Sequence, residues 1–206
     1  MEPFITIEEL SAYVHRSDLT GDLKAEIAVG SACETLKDFL NQDMEATVDD
    51  VAIVTSAGTD SLLLPQLPVR NVSKVEVRAS RPDIVTQVVD PNSYWVDLRD
   101  GILWTRWPGA VWLRGNGMYQ VTYSHGWSNP VHPSGDPASG GVDDATFEPV
   151  PRTLSVLALH LAARIYEQGL VKSETVGMYQ SIYSVDETMG FSKNELNILA
   201  KYRPGR

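Results

Sequence analysis

The chain has 206 residues, 43% of them hydrophobic and 21% charged, a balance that suits one folded domain, or a helical domain with an insertion, and excludes a disordered or fibrous chain. Its one cysteine, Cys33, excludes an intramolecular disulfide and a cysteine-rich metal site. With 27 acidic against 17 basic residues the formal charge is −10, which repels a phosphate backbone and disfavours tight nucleic-acid binding.

The first residues, Met1-Glu2-Pro3-Phe4-Ile5, lack the basic-then-apolar order of an export signal, and no run approaches the roughly 20 apolar residues of a membrane helix. Neither secretion nor a membrane location is expected. Thr6 and Glu9 have the spacing of a capping box and predict a short helix over 6–13. A second helix is predicted over about 18–39, where Leu23, Ala25, Ile27, Val29, Ala32 and Leu36 make a broad apolar face and Gly30 and Ala32 permit close approach.

After Asn41 the apolar period changes to two and β-branched residues dominate until about Ser124. Strands are predicted over 51–55, 72–78, 84–89, 94–98, 102–104, 111–113 and 118–123. Asp100-Gly101, Pro108-Gly109 and Gly115-Asn116-Gly117 read as the turns between them. Tyr94, Val96 and Leu98 alternate with Trp95, Asp97 and Arg99, which predicts a sheet with one buried face in a small meander or sandwich.

Residues 125–150 break this pattern with four prolines, four glycines, the acids Asp136, Asp143, Asp144 and Glu148, and no Lys or Arg. A loop of more than ~15 residues in a compact domain usually has a task, so this one is read as an acidic element facing a partner or a channel. Pro151 then opens the clearest helix, with Leu154, Leu157, Ala158, Leu161, Ala162 and Ile165 in one stripe. Ser192 and Glu195 form a second capping box before Leu196, Ile198 and Leu199. The stretch from Phe191 to Arg206 carries four bases and one acid on an otherwise acidic chain, which suggests a docking end.

The fold class is therefore α+β: a small helical bundle, contributed by residues 1–45 and 151–206, with a large antiparallel β insertion over 46–124 and the loop 125–150. Reactive chemistry is sparse. His125 and His132 stand near Asp136, Asp143 and Asp144 without a metal-ligand spacing. Cys33 lies mid-helix as a small buried hydrophobe, and His160 shares a helix face with Arg164. Arg114-Gly115-Asn116-Gly117 lacks the Lys and following helix of a phosphate loop and reads as a hairpin turn. No catalytic residue, metal or cofactor is assigned. The aromatic set, with Trp104, Trp107, Trp112 and Trp127 foremost, fits a core or a subunit interface.

Two short helices, a β insertion, the closing strand Val121-Thr122-Tyr123-Ser124-His125-Gly126-Trp127, a Pro151-led Leu/Ala helix running into Ala163-Arg164-Ile165-Tyr166, and a final Leu199-Ala200-Lys201-Tyr202-Arg203 follow one another in that order. This order resembles the head-tail connector, or adaptor, family of tailed bacteriophages. The β region and the acidic loop are larger than in compact members. The resemblance implies a structural virion protein of the neck that forms a homo-oligomeric, typically dodecameric ring beneath the portal protein. Such a ring connects the capsid to stopper or tail proteins and lets genomic DNA pass without specific binding. On the same reading Phe191, Leu196, Leu199, Lys201, Tyr202, Arg203 and Arg206 form the portal-docking end. A stopper, tail terminator or minor tail protein would share these properties. A carbohydrate- or peptide-binding β module rests on the tryptophans alone, and a hydrolase on the His/Asp loop alone.

Overall fold

The computed structural model describes residues 3–78, 85–129, 147–168, 173–176, 179–182 and 191–203. It is an α+β fold with antiparallel sheets, and the chain divides into a helical unit, residues 3–41 and 150–202, and a β unit, residues 42–129 with 147–149.

In the helical unit, α1 (Ile7–Tyr13) begins at the predicted capping box: the Glu9 amide donates to Thr6 Oγ1 at 3.0 Å and the Thr6 amide to Glu9 Oε2 at 2.9 Å. α2 (Leu23–Leu40) starts later than predicted. Asp18 accepts from the Thr20 amide in a local turn, and Asp22 caps the helix through the Lys24 amide at 2.9 Å. α2 packs against α3 (Arg152–Gln168) and α1, and its buried residues are Ala25, Ala28, Val29, Ala32, Cys33, Leu36 and Leu40. Leu23 and Ile27 do not belong to this face; both are exposed. Gly30 is not a point of close approach either, since open space surrounds the position its Cβ would take.

Pro151 precedes α3, and its carbonyl accepts from the Leu154 and Ser155 amides. Leu154, Leu157, Ala158, Leu161 and Ala162 are buried in the predicted stripe. A hairpin of β8 (Ser173–Val176) and β9 (Tyr179–Ile182), absent from the predicted elements, follows. α4 (Lys193–Leu199) opens on the second capping box and runs into a 3₁₀ turn, Ala200–Tyr202.

The β unit holds β1 (Thr47–Ser56), β2 (Ser61–Leu63), β3 (Val69–Arg78), β4 (Val85–Val88), β5 (Tyr94–Asp97), β6 (Ile102–Thr105) and β7 (Gly115–His125). One sheet has the order β1-β7-β3-β4 and the other β2-β6-β5, with every neighbour antiparallel. They share one core in which Val54, Val75, Tyr119, Val121 and Tyr123 meet Leu62, Leu64, Leu103 and Trp112. Trp112 anchors it: its indole N–H donates to the Leu103 carbonyl at 3.1 Å, and its ring meets Tyr119 edge-on at 5.2 Å.

Besides β2, which no predicted strand covers, three details depart from the sequence reading. Residues 111–113 form no strand; this extended run is fixed by the Trp112 amide donating to Thr59 and the Leu113 amide donating to the Tyr119 hydroxyl. Gly115-Asn116-Gly117 is not a hairpin turn but the start of β7. It pairs with β1 across a bulge, where Gly117, at φ +57°, donates to Thr55 Oγ1. Leu98 is exposed, so the buried alternation covers only Tyr94 and Val96.

Candidate functional site

The end of β7 gathers a cluster of polar contacts within the β unit. His125 lies opposite both Thr47 of β1 and Val69 of β3. It is 2% exposed, with Nε2 3.1 Å from Asp50 Oδ2 and its ring 5.1 Å from Tyr123. Burial pushes the Tyr123 phenol well above the usual tyrosine range, against a smaller opposite effect of the Gln66 backbone. Asp49, at φ +50°, receives the Ser73 hydroxyl at 2.6 Å and donates its amide to Ser124. These groups brace a strand junction.

The chain then turns through Gly126, at φ +93°, whose amide donates to the Pro68 carbonyl. A Cβ there would land on the Glu45 carbonyl. Trp127 bridges to Glu45, donates its amide to Met44, and buries its ring. The Gly-Trp pair in the closing motif is thus a backbone requirement followed by an anchor. Ser128 bridges to Pro149 and donates its amide to the Glu148 carbonyl at 2.9 Å. Arg70 reaches the Gly126 carbonyl and pairs with the exposed Glu148 carboxylate at 3.3 Å. The two ends of the acidic loop are therefore tied together. His132, Asp136, Asp143 and Asp144 lie outside the described residues.

The tryptophans separate into two groups. Trp112 and Trp127 are buried in the β unit. Trp104 is partly buried and stacks on Trp95 at 6.0 Å, and Trp107 is 65% exposed. In the C-terminal segment Phe191 is buried with its ring 5.4 Å from Phe39, and Leu199 is buried as well. Leu196 and Tyr202 are partly covered. Its outward side chains include Lys193, Asn194, Asn197, Lys201 and Arg203, while Arg206 lies outside the described residues. Glu195, the one acid, faces inward to Arg164 at 2.8 Å and has His160 Nδ1 at 3.7 Å. The exposed charges of the described C-terminal segment are therefore the bases Lys193, on α4, and Lys201 and Arg203, beyond it.

Among the described residues, no three His, Cys, Asp or Glu side chains converge as metal ligands, and no helix is long and apolar enough to cross a membrane. Burial pushes the Cys33 thiol up to about 11. The His125–Asp50 and Arg70–Glu148 pairs had no signal in the sequence, since 75 and 78 positions separate the partners.

No protein-family model and no curated protein matches the chain. Among solved structures, a chain from the neck of an empty gene transfer agent particle aligns over 97% of this chain and 89% of its own, at 12% identity and a TM-score of 0.53. The two chains share a fold. A chain from the neck of the native gene transfer agent particle covers 97% and 91% at 14% identity and a TM-score of 0.48. A third, from the native virion of such a particle, covers 97% and 89% at 13% identity and 0.46.

Proposed function

We propose that this chain is a structural protein of the neck of a tailed phage or phage-like particle. More finely, it acts as a head-to-tail adaptor that forms a ring beneath the portal, connects it to the stopper or tail, and encloses the DNA path. The observation that carries this reading is the fold shared nearly end to end with a chain of a particle neck, one whose structure was computed with C6 symmetry. The order of motifs from Val121 to Trp127, through α3, to Tyr202-Arg203 supports it independently.

The physical logic is that of a passage. A net charge of −10 per chain gives an oligomeric ring a field that repels phosphate, so DNA slides without meeting sites that hold it. Such a role asks for complementary surfaces, with no catalytic residue, metal or cofactor. The exposed bases of the C-terminal segment, Lys193, Lys201 and Arg203, with Tyr202, are assigned to the portal, and Trp104 and Trp107 to neighbouring subunits. The acidic loop faces a partner or the channel. A ring needs a head-to-tail contact that closes on itself.

Electron microscopy of the chain mixed with its portal tests the assignment. A ring stacked on the narrow end of the portal is expected. A ring that forms only on a portal already carrying another adaptor makes the chain a stopper or tail part, and a chain that stays monomeric beside its portal overturns the neck reading.

A further inference from the structure

Among the described residues, no strand pairs with either edge of the four-stranded sheet, and the two edges match each other. β1 lies at one edge and β4 at the other, with β7 and β3 between them. Since every neighbour is antiparallel, β1 and β4 run in opposite directions. A second copy placed alongside therefore offers β4 to β1 with the polarity that continues the ladder.

The side chains agree with that placement. Through its registered partners, one row crosses the sheet as Ile53, Gln120, Glu76 and Val88. Its two middle members are polar and tied: Gln120 Nε2 donates to Glu76 Oε2 at 3.5 Å, and Lys74 Nζ lies 2.5 Å from Glu76 Oε1. Its two end members are aliphatic and uncovered, Ile53 at 57% and Val88 at 50% exposure. Val51, on the same side of β1, is exposed as well. Although Glu76 in the middle of this row is 6% exposed, the ends are open, and an open edge ordinarily carries charge because an apolar edge strand templates pairing with another chain. Here the charge sits in the middle and the aliphatics sit where another strand would lie. The other end of β1 is closed off: Asp49 kinks it at a bulge and the Asp50 carboxylate is held by His125. This leaves residues 51–55 as the open stretch.

We propose that β4 of one copy adds to β1 of the next, bringing Val88 of one copy beside Ile53 of its neighbour, so that the sheets of adjacent subunits join edge to edge. The contact is heterologous, using two different surfaces of the same chain, and it propagates into a ring when the rotation closes. This inference rests on the neck reading and specifies the contact that reading requires.

The test uses the full-length chain with Ile53→Cys and Val88→Cys together. Within one copy these positions lie three strand spacings apart, roughly 14 Å, which no disulfide spans; between copies they lie side by side. Cys33 is buried and stays silent. Oxidation of the assembled rings is expected to give a ladder of dimers, trimers and larger species on a denaturing gel, reversed by reductant. A short bis-maleimide serves as a second reagent that tolerates a small slip in register. The two single-cysteine chains give no ladder, and mixed together they stop at dimers. Dimers from Ile53→Cys alone would mean a two-fold β1 contact and overturn the proposal. Rings that remain intact on the portal by electron microscopy, yet yield no ladder with either reagent, overturn it while leaving the neck reading standing. A chain that never forms a ring with its portal overturns the neck reading itself, and the edge contact with it.

Discussion

Arg164 holds Glu195 through a single nitrogen, Nη2, placed 2.8 Å from Oε1 and 2.9 Å from Oε2. Glu195 also accepts the Ser192 amide at 2.7 Å, so one carboxylate closes the cap of α4 and fastens that helix to α3. Burial pushes the Glu195 carboxyl up, but the Ser192 and Arg164 bonds outweigh it and hold its pKa below the ordinary glutamate value. A depressed carboxyl stabilises the folded state above its unfolded pKa, and that contribution is lost as pH falls through the folded value. Glu195→Gln is expected to cost about 1–2 kcal/mol near neutral pH. The gap to the parent should narrow as the pH is taken below the glutamate range, as followed by urea unfolding in steps from neutral to acid. A gap that stays constant across the series would refute the assignment.

Gly126 and Gly30 predict opposite outcomes for the same substitution. Gly126→Ala adds a methyl group against the Glu45 carbonyl at a φ that side chains rarely adopt, so a loss of at least the about 1–3 kcal/mol of local backbone strain is expected. Gly30→Ala adds a methyl group in open space on α2 and should stabilise by about 0.5–1 kcal/mol through helix propensity. Thermal unfolding of both variants checks the pair; a Gly126→Ala chain as stable as its parent contradicts the described turn.

Much of the secondary structure was legible because its determinants are local. Both capping boxes, the Leu/Ala stripe of α3 and the hairpin at Asp100-Gly101 need only neighbours within a few positions. What was not legible depends on distant partners. β2 has three residues, too few to show an alternation, and it exists because Leu62 pairs with Leu103. Leu23 and Ile27 are as aliphatic as Leu36, and the elements packed on α2 decide which of them is covered. The two tryptophans that fill the β unit are no different in sequence from exposed Trp107. Of the candidate surfaces, the excess of bases at the C-terminal end was visible in the sequence, while the inward turn of Glu195, which leaves the exposed charges there all basic, required the fold.

Trp107 and Trp112 should respond differently to substitution. Trp107→Ser removes an exposed ring and is expected to leave unfolding within about 0.5 kcal/mol of the parent, while weakening the proposed self-assembly in which Trp107 meets a neighbouring copy. Trp112→Phe loses the bond to the Leu103 carbonyl and part of the core, an expected cost of about 1–3 kcal/mol. Denaturant midpoints beside sedimentation profiles separate the two effects, and a Trp107→Ser chain that assembles like the parent removes Trp107 from the interface.

Cys33 is expected to resist thiol reagents in the folded chain. Desolvation holds its thiol near 11, against weaker opposing hydrogen bonds from the Phe4 and Ile5 backbone, so little thiolate exists at pH 8. Colorimetric titration should find no reactive thiol until denaturant is added, and then one per chain. Rapid labelling without denaturant would show that α2 opens locally.

The helical unit is interrupted in sequence by the whole β unit, and this sets an order of events during synthesis. α1 and α2 emerge from the ribosome before the β unit, with the buried alanines of α2 not yet facing α3. β7 must follow before β1 and β3 can be joined, and α3 comes later still. The β unit can therefore close its core while the N-terminal helices are still waiting for theirs, and a chain stalled before Arg152 leaves an apolar helix face exposed to whatever chaperone or aggregate reaches it first.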